Sequence, residues 1–236
     1  MKKGTLYIVS TPIGNLEDIS TRAIKTLKSV DIIACEDTRH SSKLLNTFDI
    51  HTSKISYYDE VEERRSVTLI NMMETGKSVA LVSDAGTPGI SDPGYRVIEK
   101  AVEADIPVIP IPGPSSILTA LVASGFATDR FVFEGFLPRK KGRKTRLEEL
   151  SQEPRTIILF ESPMRLLKTL NDLRDYFGER RVAIGREMTK LYEEYLHGSL
   201  SEMITHFLNE KPRGEFVLVL EGLTRKLKKS MSEEDL

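Results

Sequence analysis

The chain is predicted to be an α/β protein in two parts, a mostly parallel sheet followed by a mixed one. Three observations carry this. Short β-rich runs alternate with helical patterns through the first half, a rhythm that buries parallel strands beneath helices. Near PGPSSILTALVASG the rhythm changes and strands begin to outnumber helices, which calls for antiparallel neighbours. The 236 residues, 39% hydrophobic and 29% charged, suffice for one large domain or two small ones, each with its own core. We place the junction at residues 113–118, giving parts at 1–115 and 116–224 and a charged tail at 225–236.

TLYIV is the first strand, followed by ISTRAIKTLKSV, whose Ile19, Ala23, Leu27 and Val30 recur at helical spacing. DIIAC is the second strand and holds the single cysteine, Cys35, which reads as a small buried hydrophobe rather than a nucleophile. A short helix around KLLNTF comes next; KISYY, a long helical segment through Met72 and Met73, and SVALVS repeat the pattern. SDAGTPGISDPG (Ser83–Gly94) then breaks it, at a length well beyond the few residues of most strand-to-helix loops. Asp84 stands at the C-terminal edge of its strand, where open α/β sheets bind ligands. Gly86 and Gly89 permit positive φ and close backbone approach, and Asp92-Pro93 has the form of a helix N-cap with a first-turn proline. We read the segment as a ligand-contacting loop. YRVIEKAVEA is the next helix, with Val97, Ala101 and Val102 as one stripe, and IPVIPI reads as a strand next to an edge, because prolines cannot donate to a central ladder.

In the second part, Ser115 or Ser116 opens a short helix with Ile117, Leu118, Leu121 and Val122 on one side. FVFEGF, TIILF, RVAIGRE, EEYLHG and EFVLVLE are strands; PMRLLKTLNDLRDYF and SEMITHFL are helices. FESP makes Ser162 a cap and Pro163 the first helical residue, while GREMTK puts Arg186, Glu187 and Lys190 at a strand end, where a surface ion pair would explain them equally well. RKKGRKTR (139–146) holds six basic residues in eight, conspicuous in a chain of formal net charge −1. It is either a solvated face or a patch that meets phosphates without reading sequence. The tail TRKLKKSMSEEDL is expected to be frayed or helical at the surface.

Several classes lose their support. STPIGN lacks the G-x-G-x-x-G spacing and no G-x-x-x-x-G-K-[ST] occurs, which disfavours nicotinamide and P-loop nucleotide binding. His40, His51, His197 and His206 are scattered, so no metal site is expected, and one cysteine permits no intrachain disulfide. No run approaches the roughly 20 apolar residues of a membrane span, and the start lacks a signal-peptide stretch, so a cytoplasmic location without membrane attachment is expected.

Taken together, STPIGNLEDIS, ACEDTR, SDAGTPGISDPG, PGPSS, FEGFLPR, FESPMRLLKTL and REMTKLYEE resemble the tetrapyrrole-methylase superfamily, the class III S-adenosylmethionine-dependent methyltransferases. Within it they are similar to the ribosomal small-subunit methyltransferase I branch, which methylates a cytidine ribose 2′-hydroxyl of 16S rRNA. The likeness runs to about residue 222, and some members of the branch continue into a further C-terminal segment. It implies two α/β domains with a cofactor cleft between them, S-adenosylmethionine as cofactor, 16S rRNA or the 30S subunit as substrate, and a homodimer. It also implies cofactor contacts from Pro12, from Asp84, Ala85, Gly86, Thr87, Pro88, Ile90 and Ser91, and from Ser115, Ser116, Phe160, Glu161 and Met188. A ribose hydroxyl is a weak acid, so a general base or a cation beside the developing alkoxide is needed. Glu36, Asp37, Arg39, Glu187 and Lys190 are the candidates, the lysine serving as base only if its pKa were lowered. RNA contacts would come from Arg139, Lys140, Lys141, Arg143, Lys144 and Arg146. The competing readings are a small-molecule methylase of the tetrapyrrole type and an RNA-binding module that keeps the fold without turnover.

Overall fold

The structure is a computed structural model and describes residues 2–224. It falls into two compact units that divide between Ser115 and Ser116. The charged tail expected at 225–236 lies outside the described residues. Among those residues no helix is long and apolar enough to cross a membrane.

The first unit runs β1 (Leu6–Val9), α1 (Thr21–Ser29), β2 (Ile32–Cys35), α2 (Thr38–Thr47), β3 (Lys54–Ser56), α3 (Glu62–Glu74), β4 (Val79–Val82), α4 (Tyr95–Glu103) and β5 (Val108–Ile111). Its five strands are all parallel in the order β3-β2-β4-β1-β5, with Pro110 on edge strand β5. Period-two alternation decides where each side chain goes. In β4, Val79 and Leu81 join Leu6, Ile8, Leu69, Met73, Val97 and Ala101 on one face. Ala80 and Val82 join Ala23, Leu27, Ile33 and Leu45 on the other. Both faces are dry, so the strand is a continuous apolar run, as a parallel sheet with helices on both sides requires.

Two details of α4 depart from expectation. Val102 is exposed; the buried stripe is Val97 and Ala101 alone. The helix starts at Tyr95 behind Gly94, not behind the Asp92-Pro93 signature, and Gly94 lies at φ +154°. The orphan amides of its first turn are met from another helix: Glu62 Oε1 on α3 accepts from Gly94 N (3.0 Å), Arg96 N (3.3 Å) and Tyr57 Oη (3.1 Å).

The second unit runs α5 (Ser116–Ala123), β6 (Phe131–Phe136), α6 (Arg143–Ser151), β7 (Thr156–Glu161), α7 (Leu166–Phe177), β8 (Arg181–Arg186), β9 (Glu194–Ser199), α8 (Leu200–Asn209) and β10 (Phe216–Leu220). The sheet order is β6-β7-β10-β8-β9; β6 and β7 are parallel, and every other pair is antiparallel. The mixed sheet expected from the strand-to-helix ratio is therefore present. Alternation again sorts the core: Ile157, Leu159, Leu218 and Ile184 meet Leu147, Leu170, Leu173 and Phe207 of α6, α7 and α8. Ile158, Val217 and Ala183 face Ala120 and Leu121 of α5. A bulge at Glu134–Gly135, with Gly135 at φ +66°, inserts an extra residue into β6.

The second unit also corrects several expectations. On α5, Ile117, Ala120 and Leu121 pack inward, whereas Leu118 and Val122 are exposed. Ser162 does not cap α7 with its hydroxyl; its carbonyl accepts from Arg165 N (3.1 Å) and Leu166 N (3.0 Å), and Pro163 lies in that turn ahead of the helix. The basic run is not one surface stretch, because its second half forms α6 and Leu147 draws that helix onto the sheet. Just before β8, Arg180 is 1% exposed. It donates to the Ser151 carbonyl and stacks 4.7 Å from the Phe177 ring centre, while Nε and Nη1 have no partner. Burial pushes its pKa down to about 10.

Candidate functional site

In the first unit, the loops leaving the C-terminal ends of β1, β4 and β5 are stitched together. Thr11 and Gly86 form an isolated antiparallel bridge, with Thr11 N donating to Gly86 O (2.8 Å) and Gly86 N to Thr11 O (3.1 Å). The Ser10 and Thr87 hydroxyls are 2.8 Å apart, and Thr11 Oγ1 donates to Ser83 O at 3.2 Å. Gly113 packs so closely on Ser10 that a Cβ there would lie 3.0 Å from Ser10 Cβ. Pro12, Gly86 and Pro88 are buried within this assembly; Ala85, Ile90 and Ser91 are exposed on it, Ser91 at φ +63°. Thr87, Asp84, Ser115 and Ser116 are half-buried.

At the end of β2 an acidic group converges on the same loops. Asp84 Oδ1 accepts from Asp37 N at 3.3 Å. Burial, with Asp92 and Asp84 close by, holds the Glu36 carboxyl above the usual glutamate range, against a hydrogen bond from the Asp84 amide. Burial likewise raises Asp92, opposed by the Ser83 hydroxyl and reinforced by Asp84. Asp37 is different: it caps α2, accepting from Arg39 N (2.7 Å) and His40 N (3.4 Å), and those amides hold its carboxyl low. Arg39 is exposed and pairs loosely with Asp37 at 3.6 Å. Burial raises the Cys35 thiol, which keeps it protonated. No group of three or more His, Cys, Asp or Glu side chains placed to hold a metal ion occurs among the described residues.

In the second unit, β7 and β8 both run against β10, so the ends of β6, β7 and β8 lie along one edge of the sheet. Phe160 stacks edge-on with Phe133 (4.9 Å) and Phe136 (5.7 Å). Met188 folds over Gly185, where a Cβ would meet its sulfur at 2.6 Å, and it is 6% exposed. Glu187 is bound into its own turn, accepting from Lys190 Nζ (3.0 Å) and Glu215 N (2.9 Å). Desolvation would raise its carboxyl, but those donors hold it below the usual range. Desolvation pulls Lys190 down, yet Glu215 (2.9 Å) and Glu187 outweigh it and leave the ammonium above an ordinary lysine. Neither group has the character of a free base.

Of the six basic residues in the run, Arg139, Lys140 and Lys141 are exposed on the loop, and Lys144 is exposed on α6 beside Glu148 at 3.7 Å. Arg143 and Arg146 correct the expectation of a uniform patch. Arg143 is 6% exposed and donates to Asp172 (2.7 Å), Pro138 O (3.0 Å) and Thr169 Oγ1 (2.9 Å). Arg146 grips Glu134 with two nitrogens and Glu149 with a third at 2.7 Å, so three of its five N–H donors are committed to carboxylates. The Glu161 side chain is buried and accepts from Thr169 Oγ1 (2.5 Å) and Ser162 N (2.8 Å), which commits its carboxylate to the frame behind the strand. Sequence reasoning missed Glu62 and Thr169, whose partners lie on other elements and leave no local signature. A cavity of about 480 Å³ opens at the opposite edge of this sheet, among Phe126, Arg130, Arg155, Arg181 and Glu221, and none of the sequence-predicted residues lines it.

Comparison with known proteins gives a consistent picture. Residues 5–204 match the family described as Tetrapyrrole (Corrin/Porphyrin) Methylases. The chain is 52% identical over 235 residues to Ribosomal RNA small subunit methyltransferase I of Synechocystis sp., covering 99% of this chain and 84% of that protein. To the protein of the same name in Thermotoga maritima it is 49% identical over 219 residues, covering 93% and 99%. Among solved structures, a cobalamin biosynthetic enzyme, cobalt precorrin-4 methyltransferase, superposes with a TM-score of 0.68 at 18% identity, covering 92% of this chain and 94% of the other. Uroporphyrin-III C-methyl transferase from Thermus thermophilus, complexed with S-adenyl homocysteine, gives 0.63 at 18% identity, covering 92% and 97%. These structural likenesses establish the shared fold.

Proposed function

Because the chain belongs to the tetrapyrrole methylase family, we propose that it transfers a methyl group from S-adenosylmethionine to the ribose 2′-hydroxyl of a cytidine in 16S rRNA. The observation that carries this reading is near full-length identity of about one half to relatives named for ribosomal RNA small-subunit methylation. We further place the protein in the cytoplasm as a homodimer acting on the 30S subunit, a reading that follows from the family resemblance.

The first unit suits such a donor. S-adenosylmethionine supplies an electrophilic methyl on a cationic sulfur and also carries an ammonium, so its holder needs hydrogen-bonding backbone and negative charge. The Asp84–Ser91 segment presents backbone amides and carbonyls held rigid by the Thr11–Gly86 bridge, and Glu36, Asp84 and Asp92 concentrate negative charge beside it. Preorganised groups of this kind orient a reactant without reorganising at the moment of reaction. Glu36 is the residue to accept the hydroxyl proton. Its raised pKa makes it a stronger base than an exposed glutamate, whereas Asp37 is committed to a cap and Glu187 and Lys190 to each other. Arg139, Lys140, Lys141 and Lys144 meet the phosphates, positioning the RNA while base choice is made elsewhere.

The test is incubation of unmodified 30S subunits or 16S rRNA with the protein and tritium-methyl donor, with the modified nucleotide mapped by mass spectrometry. A 2′-O-methylcytidine in 16S rRNA is the expected product. Donor binding by calorimetry without label in any ribosomal substrate would overturn the reading, and transfer to a porphyrinogen would replace it.

A further inference from the structure

The loop between β6 and α6, Pro138–Gly142, carries three adjacent cations on exposed side chains, Arg139, Lys140 and Lys141. Like charges in a row repel and favour a spread, solvated chain. A backbone turn, with Arg143 N donating to Lys140 O at 3.2 Å, leads from the loop into α6. The base of the loop is held firmly: Leu137 is buried in the core beneath it, and charged side chains bind the backbone beside it.

Two neighbouring carbonyls, Leu137 O and Pro138 O, each accept from a different arginine. Arg165 Nη2 reaches Leu137 O at 2.6 Å, and Arg143 Nη1 reaches Pro138 O at 3.0 Å. The two arginines are joined behind the loop. Arg143 Nη2 donates to Thr169 Oγ1 (2.9 Å), Thr169 Oγ1 donates to Glu161 Oε2 (2.5 Å), and Glu161 Oε1 pairs with Arg165 Nε at 3.4 Å. The circuit closes on adjacent residues of one loop. Its direction is fixed: the threonine hydroxyl has a single proton, which it donates to Glu161, and it takes the guanidinium hydrogen on a lone pair. Glu161, Thr169 and Arg143 are 2%, 1% and 6% exposed.

A buried polar circuit is a poor device for stability alone, since well-packed apolar side chains often do as well or better. What it supplies is a defined position. We propose that Arg143, Glu161, Thr169 and Arg165 are positioning residues, a frame that holds the basic loop in the one placement from which its cations meet RNA phosphates. This rests on the reading of that loop as the RNA contact. It also divides the basic run into two jobs: Arg139, Lys140 and Lys141 point outward to the ligand, and Arg143 points inward to aim them.

The test uses the full chain and a 16S rRNA transcript. Thr169→Val keeps the shape of the side chain and removes the relay; Arg165→Gln, at a partly exposed position, opens the circuit at its other arm. Either variant should bind the transcript about tenfold more weakly and with a shallower salt dependence, because fewer phosphates are engaged. Amide hydrogen exchange should quicken across 138–142, and calorimetry should return an unchanged affinity for S-adenosylhomocysteine. Arg139→Ala/Lys140→Ala/Lys141→Ala serves as the reference, losing about two units of salt slope at roughly 0.7 per single-strand contact. If the reference loses affinity while both circuit variants keep the wild-type slope and the wild-type exchange at 138–142, the frame is refuted and the RNA contact stands. If the reference itself binds like wild type, the RNA contact of the loop is refuted instead.

Discussion

Gly94→Ala should loosen the far end of the Ser83–Gly94 loop and weaken whatever that loop holds. A Cβ built on Gly94 lies 2.9 Å from Gly89 N, 3.1 Å from Gly89 Cα and 3.1 Å from Leu81 Cδ2. Two of those three atoms are backbone, and Gly89 itself sits at φ +81°, so no side-chain rotation relieves the clash. The backbone at φ +154° adds strain of about 1–3 kcal/mol for a residue with a side chain. Overpacking contributes about 1–3 kcal/mol more. Together these make about 2–6 kcal/mol, a large share of the roughly 5–15 kcal/mol that stabilises a typical domain. Some of it is relieved by displacing residues 89–94, and that displacement is what binding reads. Urea titration followed by circular dichroism should show a loss of at least about 2 kcal/mol. Calorimetry with S-adenosylhomocysteine should show more than tenfold weaker binding. Gly125→Ala is the control, because Gly125 also has positive φ (+73°) but nothing lies within 4 Å of its Cβ; it should cost only about 1 kcal/mol and leave the affinity alone. A Gly94→Ala protein that matches the Gly125→Ala protein in both measurements would refute the steric argument.

Glu36→Gln should abolish transfer while leaving the protein folded. In the wild type, single-turnover rates should rise with pH through a value above the ordinary glutamate range, set by burial and by Asp92 and Asp84. Folding carries the opposite sign: a carboxyl whose native pKa is raised favours the native state at low pH and loses that contribution as pH climbs through the native value. At neutral pH Glu36→Gln should therefore melt no lower than wild type, and a marked drop would deny the residue its strained, charged character. Arg180→Met should be neutral or raise the melting temperature by a few degrees, since the lost Ser151 bond is offset by removing two unpartnered buried nitrogens; a fall of several degrees would show that those nitrogens are satisfied. Ser199→Ala breaks the capping box with Glu202 and should cost about 1 kcal/mol in a urea titration, with donor affinity unaffected.

Much of the architecture could be read along the chain because the deciding pattern is local. Alternation within SVALV and FVLVL places residues on two dry faces whatever the neighbours are, and Pro110 confines its strand to an edge. Reading failed where a distant group overrides a local signature. Asp92-Pro93 has the composition of a helix start, but the chain turns at Gly94 and the amides there are taken by Glu62, 32 residues upstream. Leu118 and Val122 share helical spacing with Leu121, yet the sheet takes the Ile117, Ala120 and Leu121 side. A tally of positive charge could not separate Arg143 from Arg139, because only the pairing with Asp172 and Thr169 turns one of them inward. Glu161 and Phe160 are adjacent, and strand pleating sends the carboxylate to α7 and the ring to the aromatic cluster. The bridge between Thr11 and Gly86, which makes the first-unit loops one assembly, is visible only after folding.

Glu62 has an implication for protein engineering. One oxygen of this α3 residue receives the amide at the loop's end, an amide of the following helix and the Tyr57 phenol. Anyone transplanting the Ser83–Gly94 stretch into a foreign scaffold would therefore have to bring α3 along as its anchor. Without that carboxylate the graft would keep its letters and lose its shape.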